Sequence, residues 1–313
     1  MGDLIFSLNI VMPVFFIIIF GFILRRKGII TTEFISAATT IVYYIALPAK
    51  LFQDVSESDF SSLMNTKFIL FTVGITVITF VVVWMLAAIF IKDKSKISAF
   101  VQGTFRGNYV YVGLPITQNI LQTEVIPSTI LVIAFVIPIY NILAVIILSY
   151  YNGEKRVNVK SLLINIIKNP MIIAIVVALP CSLLKMKLPF AATKSLDYLG
   201  VLATPMALLL VGASIRFDAL IKNFKYIVQA SVLKVILQPL LFVPLAVLLG
   251  FKSQEIATIY VMLATPTAMN AYIMAKKLGG DGELSAGIIV LTVILSVATI
   301  PIGTYLLTTL GIL

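Results

Sequence analysis

Apolar runs of about 20 residues recur along this 313-residue chain with so little between them that a water-soluble core is not an available outcome. They fall near 4–24, 34–52, 68–91, 98–121, 126–151, 161–184, 192–213, 226–250, 254–275 and 284–310. Each is long enough to cross a bilayer as a helix, since a helix rises about 1.5 Å per residue and the hydrocarbon layer is about 30 Å thick. In hydrocarbon the backbone must satisfy its own hydrogen bonds, which predicts helices for such segments. A mean hydropathy of +1.11 and 12% charged residues agree. The longest connector, DVSESDFSSLMNTK, has 14 residues and cannot hold a core of its own. The expectation is an all-α polytopic membrane protein, one domain over 1–313, with ten transmembrane helices.

The formal charge of +10 does not form a nucleic-acid stripe, because the basic residues sit in short clusters between the apolar runs. One face of the ten-span arrangement receives Arg25, Arg26, Lys27, Lys92, Lys94, Lys96, Lys155, Arg156, Lys160, Arg216, Lys222, Lys225, Lys276 and Lys277. The other receives only Lys67, Lys185, Lys187, Lys194 and Lys252, beside Asp54, Glu57, Asp59, Glu124 and Glu255. Basic loops stay in the cytoplasm, so this bias of 14 to 5 places both termini outside. The first segment is too long for a signal-peptide core and is followed by RRKG, so it reads as a membrane helix. With one cysteine, Cys181, and no histidine, neither an intrachain disulfide nor a zinc or copper site is expected.

The prolines suggest a repeat of 1–151 in 152–313. Pro13 and Pro170 are 157 residues apart, as are Pro48 and Pro205, and Ala46-Leu47-Pro48-Ala49 lies over Ala203-Thr204-Pro205-Met206. Pro115 and Pro266 are 151 apart, each followed four residues later by asparagine, Asn119 and Asn270. Five spans per half is an odd number, so the halves enter the membrane from opposite sides, the inverted 5+5 repeat of secondary transporters.

Segments four and nine are expected to be broken. Segment four holds Gly103, Gly107, Asn108, Gly113 and Pro115, and segment nine holds Thr265-Pro266-Thr267 and Asn270. Proline removes a backbone donor and glycine permits the chain to leave helical geometry, so Gly113 with Pro115 and Thr265 to Thr267 are the expected interruptions. Freed backbone groups are tolerated only against protein or a wet cavity, which marks a binding site near mid-membrane. Pro13 and Pro138 read as ordinary kinks.

Few charges lie within the spans. Arg106 and Lys234 are deep, Lys50 follows Pro48, and Lys168, beside Asn165 and Asn169, is placed to snorkel. No carboxylate lies centrally, so basic groups with half-helix N-termini favour an organic anion. Arg106, Lys234, Asn108, Tyr109, Tyr111, Asn119 and Asn270 are the candidate substrate-binding residues.

Arg106-Gly107-Asn108-Tyr109 through Gly113-Leu114-Pro115, Leu47-Pro48-Ala49-Lys50-Leu51-Phe52, Ala264-Thr265-Pro266-Thr267-Ala268 and Leu210-Val211-Gly212-Ala213-Ser214 resemble the auxin efflux carrier family, which includes bacterial malate or malonate permeases. The resemblance covers essentially the whole chain. It implies a fold similar to bile-acid sodium symporters, with spans 1, 2, 6 and 7 as a scaffold that dimerises. Spans 3 to 5 and 8 to 10 would form a transport domain moving as an elevator, with crossed spans 4 and 9 holding substrate near Asn108 and Asn119. The crossover prolines would be Pro115 and Pro266. The long loop of the plant relatives is replaced by NGEKRVNVK, which favours a compact bacterial carrier in the inner membrane.

The expected function is secondary transport of a small carboxylate such as malate or malonate. Protons, sodium and the membrane potential all remain open as the driving force, and no cofactor is expected. An anion channel or uniporter and a membrane binding protein are the competing classes. An enzyme is not expected, because no histidine, paired central carboxylates or nucleophile with a base is present.

Overall fold

A computed structural model describes residues 2–56, 64–123, 126–152, 164, 167–168, 170–186, 188–215, 217 and 223–313. Among these residues the structure is helical, without a β-strand. The helices are α1 (Gly2–Arg26), α2 (Thr32–Ser56), α3 (Thr66–Phe90), α4 (Lys94–Phe105), α5 (Leu114–Leu121) and α6 (Pro127–Tyr151). After them come α7 (Pro170–Leu183), α8 (Phe190–Ala213), α9 (Phe224–Leu248), α10 (Ser253–Ala264), α11 (Asn270–Lys277) and α12 (Gly282–Thr309). Glu57, Asp59, Glu124, Lys155, Arg156, Lys160, Asn165, Asn169, Lys187, Arg216 and Lys222 lie outside the described residues.

Among the described residues six helices, α2, α3, α6, α8, α9 and α12, are long and apolar enough to cross a membrane. Only 33% to 50% of the most apolar window of each is buried within the protein, so the remainder presents oily side chains outward. On α1, Phe16, Ile19, Phe20 and Ile23 form such a stripe, and on α7 Ile173, Val176, Val177 and Leu183 do the same. Helical spacing puts these residues on one face, and contiguous exposed apolar faces of this kind belong against lipid or another protein.

Prolines shape the long helices in a common way. Five-residue π turns at Val42–Ala46, Tyr109–Gly113, Val132–Val136 and Leu233–Leu237 each end two residues before a proline: Pro48, Pro115, Pro138 and Pro239. A proline ring clashes with the carbonyl four residues back and donates no bond. Widening the preceding turn lets the residue before the proline reach five residues back instead, as in Leu47 to Val42 and Gln238 to Leu233. Pro138 follows one of these turns inside the continuous helix α6. Pro13 lies within α1 as an uninterrupted helical residue.

The bundle is organised by close crossings. α1 packs on the second half of α8, and α7 on the Leu47–Ser56 half of α2. At the first crossing a Cβ added to Gly21 would stand 2.1 Å from the Leu209 carbonyl oxygen, and one on Gly212 only 1.8 Å from that of Ile18. Small residues are what allow two backbones to approach this closely in a membrane. Elsewhere α3 packs on α4, α9 on α10, and α12 on α4, α9 and α11.

Polar ties close the ends. Asp93 caps α4 by accepting from the Ser95 backbone N–H at 3.1 Å and from the Ser95 hydroxyl at 2.8 Å. The Ser95 hydroxyl holds the Asp93 carboxyl below its ordinary value, against a weaker opposing effect of burial. Asp281 caps α12, accepts from Asn223, and donates its backbone N–H to the Ser95 carbonyl at 3.1 Å. At the opposite ends Asn65 caps α3 and donates to Glu255, which in turn accepts from the Lys252 backbone at the start of α10.

Gly212→Val is expected to lower the thermal midpoint in detergent by about 5 °C or more, because the Ile18 carbonyl is backbone and cannot yield. Gly74→Ala, with nothing within 4 Å of the added carbon, is the control and is expected to stay within about 1 °C. Equal midpoints would mean that α1 and α8 do not meet at this glycine.

Candidate functional site

Two helices stop inside the bundle and their loose ends meet. α4 ends at Phe105 and α10 at Ala264, and the residues that follow, Arg106 (φ −96, ψ 112) and Thr265 (φ −61, ψ 145), are extended. Gly107 and Thr267 then form an isolated antiparallel bridge. Asn108 donates its backbone N–H to the Pro266 carbonyl at 2.7 Å, and Ala268 to the Arg106 carbonyl at 3.3 Å. A Cβ at position 107 would lie 2.7 Å from the Thr265 Oγ1 and 2.8 Å from the Met262 carbonyl oxygen, so the crossing requires glycine there.

The carbonyls of the two last helical turns are capped by side chains. Gly103 accepts from the Thr267 hydroxyl at 2.5 Å and Thr104 from the Gln238 amide at 2.7 Å. Leu263 and Met262 accept from the Lys234 ammonium at 2.7 and 3.4 Å, and Ala264 from the Ser296 hydroxyl at 3.3 Å. The Thr267 backbone N–H donates to Thr292 at 3.1 Å. Backbone groups that a soluble protein would leave to water are thus paired within the protein.

A cavity of about 60 Å³ adjoins the crossing, lined by Tyr43, Arg106 to Tyr111, Ile137, Tyr140, Asn141, Met171 and Ala268 to Asn270. It has room for a few water molecules. The Arg106 guanidinium is 3% exposed, donates to the Asn141 Oδ1 at 2.7 Å and contacts the Met274 sulfur at 3.2 Å. Among the described residues no salt bridge pairs Arg106 with a carboxylate. The beginnings of the helical stretches at Tyr109 and Asn270 also line this cavity, although at the second the Ala271 and Tyr272 N–H groups already donate to the Ala268 and Met269 carbonyls at 2.9 and 3.1 Å.

The candidate residues divide among three places. Arg106, Asn108, Tyr109, Tyr111 and Asn270 line the small cavity, although the Tyr109 hydroxyl is engaged by Thr129 at 2.8 Å and Thr117 at 3.3 Å, outside that lining. Asn119 lies in a second, open cavity of about 750 Å³ with Lys50, Gln53, Asp54, Gln118 and Asp197. There Lys50 and Asp54 are 3.5 Å apart and Gln53 donates to Asp197. Lys234 lines neither cavity and is fully buried against the carbonyls of α10. Lys168 is exposed.

One expectation is corrected. The interruption of the fourth segment lies at Arg106 to Asn108, not at Gly113 and Pro115, which belong to a continuous helical stretch of π turn and α5. The π turn absorbs Pro115, and Gly113 instead makes room for the Tyr109 ring, whose Cδ2 would be 2.5 Å from an added Cβ. Thr265, Pro266 and Thr267 lie between the end of α10 at Ala264 and the start of α11 at Asn270. Gly107 and Thr267, 160 residues apart, face each other across the antiparallel bridge. Asn119 and Asn270, 151 apart, line different cavities. Tyr43, Tyr140, Asn141 and Gln238 were not anticipated. The polar Asn141 and Gln238, each three residues or fewer from a proline within an apolar run, carried the available signal.

Membrane-length helices with lipid-facing stripes, and two interrupted helices around a buried polar cavity, define a polytopic membrane protein with the interior of a solute carrier. The chain belongs to the membrane transport protein family, that of the auxin efflux carriers, which it matches over residues 6–304. It is 27% identical to a Rhizobium meliloti protein named "Putative malonate transporter", with 93% of each chain covered. It is 23% identical to an uncharacterized transporter of Methanocaldococcus jannaschii, covering 96% of this chain and 98% of that one. An uncharacterized transporter of Methanothermobacter thermautotrophicus is 21% identical over the same shares. Family and relatives make this a transporter rather than an enzyme.

Gln238→Leu removes the donor to a buried carbonyl while roughly keeping volume, and is expected to cost about 1–3 kcal/mol. A lowered midpoint in detergent that Gln238→Glu does not share to the same degree below the carboxyl's titration, where a protonated acid can still donate, checks the assignment. An unchanged midpoint for Gln238→Leu would show that the Thr104 carbonyl finds another partner.

Proposed function

We propose that this protein is a secondary transporter of small dicarboxylates, malonate foremost, whose substrate binds in the cavity beside Arg106. The observation that carries the proposal is the convergence there of a buried guanidinium and two helix starts. A helix end carries roughly half an elementary charge, so two N-termini with one arginine offer roughly two positive charges to an anion. The matching charge is that of a dicarboxylate, and the name of the Rhizobium relative points to the same chemical class. Asn108 and Asn270 lie beside the guanidinium as neutral donors, and Tyr43, Tyr111 and Tyr140 supply an apolar wall with polar tips.

The same reading includes ten spans in two inverted halves. Its support is reciprocal packing: α1 on α8 is answered by α7 on α2, α3 on α4 by α9 on α10, and α1 on α12 by α7 on α6. In this arrangement α4 with α5, and α10 with α11, each make one broken span. α1, α2, α7 and α8 form the scaffold, and the other helices form a body that carries the crossing as an elevator past it. The small cavity and the open one then serve opposite membrane faces. A homodimer through the scaffold, a bacterial inner membrane and termini outside complete the proposal.

Uptake of labelled malonate into proteoliposomes tests it. Arg106→Gln is expected to raise the half-saturating concentration about 10- to 100-fold, as loss of a charge-assisted bond of about 1.5–3 kcal/mol requires. Lys168→Ala, an exposed site, is expected to change nothing. Absence of saturable uptake together with no thermal stabilisation by malonate, malate or succinate would overturn the proposal.

A further inference from the structure

The helix ends that face away from the anion cavity are occupied in an unusual way. Half-helix C-termini in carriers with broken helices gather unpaired carbonyl oxygens and carry partial negative charge, the setting in which a coupling cation is held. Here one helix sends a side chain to each such end, beside the Thr267 and Ser296 hydroxyls. Lys234 and Gln238 stand one turn apart on α9, the first in the π turn Leu233–Leu237 and the second just after it. The Lys234 ammonium reaches the end of α10, 2.7 Å from the Leu263 oxygen and 3.4 Å from that of Met262. The Gln238 amide reaches the end of α4, 2.7 Å from the Thr104 oxygen. Both side chains are buried.

The bonding of Lys234 has a peculiar form. Its described partners are main-chain carbonyls and no carboxylate. Among the described residues the only buried carboxylate is Asp54, which lines the other cavity. A buried ammonium without a carboxylate is costly unless other oxygens replace its hydration shell. An ammonium with carbonyl oxygens at hydrogen-bond distance resembles an alkali cation in the same cradle, since both are monovalent and both shed water for carbonyl dipoles. Thr265 adds a hydroxyl, 3.1 Å from the Met262 oxygen.

We propose that Lys234 is a tethered cation occupying the carbonyl cradle at the end of α10, so that no alkali ion binds at the crossing and anion transport is independent of sodium and potassium. Removing the ammonium while keeping the backbone opens the cradle to a free alkali ion. This inference rests on the transporter reading for its consequence in transport. The cradle itself is tested by cation binding without any anion, so failure of one is distinguishable from failure of the other.

The experiment compares thermal midpoints of purified protein in chlorides of sodium, potassium and choline at equal ionic strength. Wild-type protein and Lys234→Arg, which keeps a cation, are expected to agree within about 1 °C across the three salts. Lys234→Ala is expected to melt lower in choline and to recover by about 2 °C or more, saturably, in sodium or potassium. Equilibrium binding of radioactive sodium to wild-type protein, expected to be nil, reads the same cradle without relying on a variant that folds. Saturable sodium binding or sodium stabilisation of the wild type would overturn the proposal. So would a Lys234→Ala protein that melts cooperatively and identically in all three salts.

Discussion

The antiparallel bridge between Gly107 and Thr267 is the interaction on which the interior depends. Two helices that end inside a bilayer leave several carbonyls and N–H groups without partners, and hydrocarbon supplies none. The bridge pairs the two non-helical strands with each other, through Asn108 to Pro266 and Ala268 to Arg106. The carbonyl ends are then left to Lys234, Gln238, Thr267 and Ser296. What stays open to the cavity is the other pole, the helix starts at Tyr109 and Asn270 beside Arg106. The crossing thereby sorts its partial charges, with negative ends sealed and positive ends presented.

This sorting explains why two deep basic residues of similar appearance in the sequence have different surroundings. Arg106 lies in the extended segment itself, so its side chain leaves the crossing toward α6 and meets Asn141. Lys234 projects from a neighbouring helix toward the end of α10 and is consumed by carbonyls. Depth within an apolar run identifies a costly charge. It does not say whether the chain has arranged that charge for a ligand or for its own backbone.

The helices were legible because the bilayer fixes their length: residues 68–91 and 284–310 became Thr66–Phe90 and Gly282–Thr309 with small shifts at the ends. Interruptions in segments four and nine were expected from glycine, proline and asparagine in apolar surroundings, and their meeting from the family resemblance. The position of the first interruption was not, because Pro115 is the louder signal and Gly107 the operative one. A proline preceded by a π turn remains inside a helix, whereas Gly107 is required by atoms of Thr265 and Met262 that are distant in sequence. Tyr43 and Tyr140 could not be singled out from a chain with 12 tyrosines, because only packing decides which of them face the cavity.

The caps also bear on how the crossing moves. α9 holds the end of α10 through Lys234 and the end of α4 through Gln238, while Thr267 and Thr292 tie the second strand to α4 and α12. Sliding α4 against α10 would leave these buried groups unpaired at about 1–3 kcal/mol each, so four of them broken together would exceed much of a domain's net stability. Rearrangement within the crossing is therefore the expensive route. Displacement of α4, α9, α10 and α12 as one piece would keep all four bonds.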